Sequence, residues 1–115
     1  MEVTRIADAK AYDAPRHVDC KALRLQGYEA SGAENFWAGI THFLPGGGCE
    51  HSASALEKVY ICTEGEVTIV TDAGEVALGP LDSCRVAPDE ARSIVNRTNL
   101  PASLLVVMPY PPSTT

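Results

Sequence analysis

The sequence lacks the features by which several common classes of protein are recognised. No stretch approaches the ~18 consecutive apolar residues that span a bilayer, and no basic region followed by an apolar run marks a secretory signal near the start. Basic residues are few, with 9 Lys and Arg against 15 Asp and Glu and a formal net charge of -6. Such a surface does not suit phosphate backbones. We therefore expect a cytoplasmic protein that binds neither membranes nor nucleic acid.

Paired cysteines are also missing. The four cysteines stand singly, without the C-x-x-C spacing of zinc ribbons and thioredoxin-like proteins, at Cys20, Cys49, Cys62 and Cys84. In a reducing compartment such residues act as small hydrophobic side chains. With 115 residues, of which 45% are hydrophobic and 21% charged, the chain can form one core but not two. We expect a single domain over residues 1–115.

What the sequence does contain is the pattern of an all-β protein. Runs rich in aromatic and β-branched residues alternate with Gly, Pro, Asp and Asn at short intervals. The runs cover residues 35–44, 58–70, 75–78, 93–98 and 102–108. Several short strands at roughly even spacing indicate a sandwich or a barrel.

Turn residues predict how the strands connect. Asp72-Ala73-Gly74 predicts a hairpin, because glycine adopts positive φ at no steric cost. Asn99-Leu100-Pro101 joins the last two strands, which we expect to form a further pair. Only residues 81–84 resemble a helix, and the prolines at 80 and 88 keep it short. Residues 109–115 form a Pro-rich tail that leaves the sheet or lies at its edge.

Two stretches resemble the conserved motifs of the cupin superfamily. A glycine corner at 46–48 is followed by His51 and by a strand that ends in Glu64-Gly65, and this order resembles the first motif. The run Gly79–Asn96 resembles the second. The resemblance covers residues 35–108 and implies a cupin-type double-stranded β-helix, a jelly-roll barrel. It also implies a homodimer, to which residues 1–20 contribute an N-terminal arm or strand.

Most metal ligands of the family are replaced in this sequence. By the motif spacing, the family's two neighbouring histidines fall on His51 and Ala53. Its glutamate falls on Lys58 and its last histidine on Arg92. Two cations at ~4–6 Å would each repel a divalent ion by several kcal/mol, at the effective dielectric constant of ~20 used for protein sites. We therefore expect neither a metal nor another cofactor.

The same cations suit an anionic ligand. Arg92 can hold a carboxylate with its planar fork, and burial beside Arg92 would lower the pKa of Lys58 and make it a proton carrier. The imidazole of His51 can act as an acid or a base without such help. If Lys58 faces the barrel interior, strand alternation places Tyr60 beside it as a phenol donor. The catalytic candidates are therefore His51, Lys58 and Tyr60, and Arg92 is a candidate for binding the substrate.

The strand before the glycine corner leaves two orientations open. One face carries Phe36, Ala38, Ile40, His42 and Leu44, and the other carries Trp37, Gly39, Thr41 and Phe43. Trp37 and His42 are therefore further candidates for contact with the substrate, depending on which face lines the interior.

Structural roles compete with each of these assignments. Lys58 can form an ion pair with Glu57, Glu50 or Glu90, Arg92 can pair with Asp89 or Glu90, and His51 can be a surface residue. A β-bulge can also turn Glu57 inward in place of Lys58. His51 and Glu57, with His42 or Cys49, would then form a weak metal site.

Two classes of function follow from these residues. The first is a metal-independent lyase or isomerase that acts on a small carboxylated or oxo compound. The second is a non-catalytic cupin that binds a small molecule or serves as an accessory subunit, because a fold alone does not establish a reaction. A metal-dependent enzyme such as a dioxygenase is the third choice.

Overall fold

Short runs with alternating burial build this protein from β-strands. The computed structural model describes residues 1–112, and a 3-10 turn at Ile6–Asp8 precedes the first strand. The strands are β1 (Ala11–Tyr12), β2 (His17–Gln26), β3 (Trp37–Ser52), β4 (Lys58–Glu64), β5 (Val67–Thr71), β6 (Gly74–Leu78), β7 (Ser83–Val86), β8 (Arg92–Val95) and β9 (Ala102–Met108). The all-β prediction is confirmed. Residues 109–112 of the predicted tail are outside the strands, and 113–115 lie outside the described residues.

The long strand β3 connects the two halves of the barrel. Hydrogen-bonded neighbours follow the order β6-β5-β8-β3-β9-β4-β7, and β2 pairs with β3 while β1 pairs with β2. The first half of β3, Trp37–Phe43, pairs with β9, and its second half, Gly48–Ser52, pairs with β8. The predicted glycine corner therefore lies inside one continuous strand. This change of partner closes the sheet around an interior.

Alternation decides which side chains face that interior. On β3 the face with Trp37, Gly39, Thr41 and Phe43 is buried, so the second of the two predicted orientations is present. On β4 the residues Lys58, Tyr60 and Cys62 are buried, and on β8 Arg92 and Ile94 are buried. The apolar core is formed mainly by Phe43, Cys62, Val67, Ile69, Val86, Ile94, Ala102 and Leu104, each at most 3% exposed.

Two connections differ in part from the predictions. The hairpin of β5 and β6 is confirmed, with Thr71 opposite Gly74 and a loop of Asp72-Ala73. The predicted pairing of β8 with β9 is wrong, because both strands pair with β3 instead.

The buried side chain of Asn96 stabilises the connection between β8 and β9. Its Nδ2 donates hydrogen bonds to the carbonyl oxygens of Phe43 and Leu100. The segment that resembles a helix enters strand β7 through Leu81, which has φ of 70°.

The N-terminal part of the chain packs on its own barrel. Strand β2 runs antiparallel to β3 from His17 to Gln26, and β1 adds two residues to its free edge. For residues 1–20 the sequence predicts an arm or a strand and it predicts no strand over 21–26, whereas β2 continues to Gln26. Within residues 1–112, no helix has the length and apolar character needed to cross a membrane.

Candidate functional site

A cavity of about 410 Å³ lies inside the barrel. Its walls come from β1–β4, β8 and β9, and the N-terminal segment between β1 and β2 lies along its edge. This volume falls within the range of small-molecule sites. Basic side chains and aromatic rings project into it from different strands.

Lys58 and Arg92 are buried in this cavity without an acidic partner. Lys58 is 4% exposed and Arg92 is 8% exposed. Lys58 Nζ donates to Ser54 Oγ at 3.0 Å, and Arg92 Nη1 donates to Ser52 Oγ at 3.1 Å. Within residues 1–112, no carboxylate lies within ion-pair distance of either cation. Charged side chains are almost never fully buried unless they are paired, so this pair of cations needs an explanation.

The alternative roles in ion pairs do not apply to these two residues. Glu57, for which pairing with Lys58 or an inward position were the alternatives, is exposed and pairs with Arg85 on β7. Glu90 Oε1 accepts a hydrogen bond from the backbone N–H of Ala87. The sequence left open whether Lys58 or Glu57 faces the interior. In the structure Lys58 is buried and Glu57 is exposed, and β4 keeps a regular register against β7 over Lys58–Ile61.

Tyr60 connects with Arg92 across the interior. Arg92 Nε donates to the Tyr60 hydroxyl oxygen at 2.8 Å. Burial raises the pKa of Tyr60, although Arg92 acts in the opposite direction. The phenol therefore stays protonated at neutral pH. Because its oxygen already accepts from Arg92, its own proton is free for an acceptor in the cavity.

The electrostatic environment of Lys58 also departs from that of an exposed lysine. Burial is the main cause that lowers the pKa of Lys58, and the positive charge of Arg92 lowers it further. Both causes disfavour the charged ammonium. An anion bound between the two residues would offset the positive charge of Arg92 and favour the charged ammonium of Lys58.

His17 lines the cavity and was missed by sequence analysis. Its Nδ1 donates to the Pro15 carbonyl oxygen at 2.8 Å, and its ring stacks on Phe43 with centroids 6.2 Å apart. This hydrogen bond leaves the Nε2 lone pair free in the neutral ring. Burial lowers the pKa of His17, and the charges of Arg92 and Lys58 add to this effect. No motif spacing in the sequence indicated this position, because residues 1–20, predicted as an N-terminal arm or strand, lie outside the two cupin-like motifs.

The two histidines that sequence analysis selected lie elsewhere. His51 is exposed and its Nε2 is 3.2 Å from Asp72 Oδ1 in the β5–β6 loop. His42 points to the outer face of β3, where its Nδ1 is 2.7 Å from Ser103 Oγ. Neither residue lines the cavity. Regular alternation from the buried Cys49 would place His51, two positions later, on the same inner face of β3. The register between β3 and β8 shifts between Cys49 and Ser52, and His51 faces outward.

Trp37, a candidate for contact with the substrate, lines the cavity. Tyr12 and Tyr28, which were not predicted, line it as well. The rings of Trp37, Tyr12 and Tyr28 surround Arg24 on β2, whose guanidinium carbon lies 4.7, 3.9 and 4.2 Å from their respective centroids. Trp37 and Tyr12 also meet edge to face at 5.6 Å. These rings form an aromatic wall along one part of the cavity, with the Arg24 guanidinium between them.

The residues present do not fit the metal that the cupin motifs usually bind. Of the positions that correspond to ligands, His51 points away from the cavity, Ala53 has no donor atom, and Lys58 and Arg92 are cationic. Within residues 1–112, no group of three or more His, Cys, Asp or Glu side chains is arranged to hold a metal ion. Divalent cations require neutral or anionic donors. Asp13 is the one carboxylate among the described residues that line the cavity.

A curated relative shares most of the sequence. The beta-D-galactosidase Rv1717 of Mycobacterium tuberculosis is 42% identical over 111 residues, which cover 96% of this chain and 96% of the relative. No family model matches the sequence.

Solved structures share the fold. The polyketide cyclase RemF from Streptomyces resistomycificus is similar with a TM-score of 0.84 and 22% identity, covering 95% of this chain and 79% of that one. A sugar phosphate isomerase of the cupin superfamily from Silicibacter pomeroyi gives 0.78 and 26%, covering 94% and 75%. An RmlC-like cupin from Shewanella frigidimarina gives 0.76 and 19%, covering 93% and 88%. These likenesses confirm the predicted jelly-roll barrel.

Proposed function

The chain belongs to the cupin superfamily, and on this premise we propose that it is a metal-independent lyase or isomerase for a small carboxylated compound related to sugars. One observation carries the proposal: two buried cations, Lys58 and Arg92, line the cavity without a carboxylate partner. A ligand that brings its own negative charge would satisfy both. A planar carboxylate matches the guanidinium fork of Arg92.

The aromatic wall supports a carbohydrate-like body for this ligand. Trp37 and Tyr12 offer flat apolar surfaces in the same cavity as the cations. The C–H groups on one face of a sugar or sugar acid can pack against such rings, while hydroxyl groups need the polar donors nearby. The names of the galactosidase relative and of the sugar phosphate isomerase neighbour favour the same class of compound.

His17, Tyr60 and Lys58 supply the proton transfers in this proposal. The free Nε2 of neutral His17 takes a proton from the carbon next to the carboxylate. The electron pair of that C–H bond forms the C=C bond of an enolate, whose oxygen accepts hydrogen bonds from Tyr60 and Arg92.

Two outcomes follow from the enolate. For isomerisation, Lys58 donates a proton to the same carbon from the opposite face and inverts its configuration, while His17 keeps the proton that it removed. For dehydration, the oxyanion pair re-forms the C=O bond and the C=C pair shifts to form a double bond to the next carbon. The hydroxyl group on that carbon is expelled and leaves as water with a proton from Lys58. Both routes need only groups that line the cavity, so His51 has no part in the proposal.

The proposal is tested with D-galactonate and D-galacturonate in D₂O, using protein treated with a chelator. We expect both acids to bind, and ¹H NMR to detect loss of the signal of the C–H beside a carboxylate, or a new product. Arg92→Met should weaken binding at least about tenfold, the value of one charge-assisted hydrogen bond. Arg85→Met is the matched control, because Arg85 is exposed and outside the cavity.

Two other results would replace the proposal. Binding that requires Arg92 but gives neither exchange nor product would favour a non-catalytic ligand-binding cupin. Binding that is unchanged in Arg92→Met would remove the anion site altogether.

Hydrolysis of β-D-galactosides is a second candidate, which the relative's name and the position of Asp13 favour. Glycosidases commonly use two carboxylates, and Asp13 is the one that lines this cavity among the described residues. Turnover of 4-nitrophenyl β-D-galactoside that is lost in Asp13→Asn would support hydrolysis. No release of nitrophenol by the wild-type protein would exclude it.

A further inference from the structure

Arg24 is a further cation in the cavity, and it lies away from Arg92. Arg24 on β2 is opposite Gly39 near the start of β3, whereas Arg92 on β8 is opposite Ser52 at the end of β3. Arg24, Lys58 and Arg92 line the same cavity, and the exposed Arg16 lies at its edge. The cavity therefore has positive charge in two separate regions.

The hydrogen-bonding capacity of Arg24 is unfilled. Its side chain is 12% exposed, and its buried Nε has no hydrogen-bond partner among the described residues. Glu29 Oε1 forms an ion pair with Nε at 3.8 Å, but this distance is beyond that of a hydrogen bond. Arginine does not lose its proton in proteins, so the charge and its donors persist at every working pH.

The aromatic rings account for only part of this arrangement. Tyr12, Tyr28 and Trp37 contact Arg24 through their ring faces and stabilise its positive charge. Ring faces do not replace acceptors for the N–H groups at the edge of a guanidinium. A buried donor without an acceptor is costly, and an acidic group of a ligand in the adjoining cavity would supply one.

We propose that Arg24 forms a second acid-binding subsite, and that the physiological ligand is a diacid. One acid group lies between Arg92 and Lys58, and the other lies at Arg24. The rings of Tyr12 and Trp37 contact the carbon chain between the two groups. This inference rests on the proposed function for the first subsite, and it adds the second charge of the substrate.

Galactonate and galactarate test the inference as a matched pair. Both are open-chain acids with six carbons and the same hydroxyl configuration, but galactarate has a carboxylate where galactonate has a terminal CH₂OH. Titration calorimetry at one ionic strength should show galactarate binding at least about tenfold more tightly to the wild-type protein, as one further charge-assisted hydrogen bond predicts. Arg24→Met should abolish this preference, so that the variant binds the two acids with similar affinity.

Galactonate is also the internal control for folding. If Arg24→Met damaged the cavity, the affinity for both acids would fall together, and Arg24→Lys would then be used, with a reduced preference expected. Glu29→Gln is the matched variant, because it removes the exposed carboxylate beside Arg24 but keeps the guanidinium. The preference for galactarate should be equal or greater in this variant.

The two proposals fail in different ways. If galactonate binding does not depend on Arg92, or if neither acid binds, the first subsite and the proposed function are wrong. If galactonate binding depends on Arg92 but galactarate has no advantage, only the diacid inference is wrong. An advantage that survives in both Arg24 variants would also overturn that inference alone.

Discussion

At the residue scale, the cavity is assembled from groups whose burial opposes their charge. Lys58 and Arg92 are both cations, both are nearly inaccessible, and their contacts are neutral hydroxyl and carbonyl groups. Burial of unpaired charge lowers the stability of the folded state. Such an arrangement is typical of sites where stability is given up for binding or catalysis.

Replacing Lys58 by methionine should therefore stabilise the protein. We expect Lys58→Met to raise the free energy of unfolding by about 1–4 kcal/mol, the range found when buried ions are replaced by apolar residues. Urea denaturation at pH 7 measures the change. Lys21→Met at an exposed site is the control, with a change within about 0.5 kcal/mol. A destabilised Lys58→Met variant would contradict the prediction.

The difference in the free energy of unfolding between the wild type and Lys58→Met should depend on pH. The folded-state pKa of Lys58 is below its value of 10.5 in the unfolded chain, so between these pKa values the unfolded state binds more protons. Stability of the wild type then rises with pH relative to Lys58→Met. The advantage of the variant should be complete below the lowered pKa and should shrink as pH approaches 10.5. If the stability advantage of Lys58→Met instead grew with pH, the pKa of Lys58 would not be lowered in the folded state.

His17 should report on the cations beside it. Because burial, Arg92 and Lys58 lower the pKa of His17, an NMR titration of its ring should give a pKa below 6.5. Arg92→Met should raise this value, because Arg92 lowers the pKa of His17 more than Lys58 does. Bound galactonate should raise it by neutralising the charge of Arg92. Arg85→Met should leave it unchanged. Asp13 and Arg16 also line this edge of the cavity. Both are unchanged in all of these proteins, so they do not account for a difference in the pKa of His17 between them.

At the element scale, close contact between β3 and β8 positions the site. Gly48 lies opposite Val95, and a Cβ at position 48 would clash with the backbone carbonyl oxygen of Ile94. Arg92 is on the same strand, two residues before Ile94. The glycine corner therefore keeps the strand that carries Arg92 against β3.

Alanine substitutions at two glycines of this corner should have different effects. Gly48→Ala should cost about 3 kcal/mol or more, because the backbone of β8 must move. Gly46→Ala should cost about 1–2 kcal/mol, because Gly46 has φ of 82° but no atom within 4 Å of an added Cβ. Urea denaturation gives both values. Galactonate affinity should fall in Gly48→Ala only, and equal effects of the two variants would contradict this account.

At the scale of the whole molecule, one face of the barrel remains apolar on the outside. Ile40, Leu105 and Ile61 form a row across β3, β9 and β4, and Ala38, Val107 and Val59 form the next row. These side chains are partly exposed and point away from the cavity. A continuous apolar face of this kind favours association with a second copy of the chain.

We therefore predict a homodimer that buries these two rows. Leu105→Lys should produce a monomer, because a buried lysine from each copy would meet at the symmetric interface. Analytical ultracentrifugation across a range of concentrations measures the state of assembly. Val76→Lys, at a half-exposed position on β6, is the control and should remain dimeric. A wild-type protein that is monomeric at all concentrations would exclude the dimer.

Local pattern and motif spacing were sufficient to predict several parts of this structure. Motif spacing assigned Lys58 and Arg92 to two ligand positions, and alternation placed Tyr60 on the same face as Lys58, because side chains of a regular strand point to its two faces in turn. All three side chains line the cavity. The β5–β6 hairpin was predicted for a similar reason, since its turn is local. The jelly-roll barrel followed from the resemblance of the two motifs, and the structure confirms it.

Tertiary structure decided everything that depends on distant parts of the chain meeting. His51 was selected because it follows the glycine corner, but a register shift in β3 turns it toward Asp72 on the surface. His17 and Arg24 reach the cavity only because β2 pairs with β3, a contact between segments with no shared motif. The sequence by itself determined the buried cations, and the fold determined which histidine and which rings stand beside them, because alternation is local and cavity walls are not.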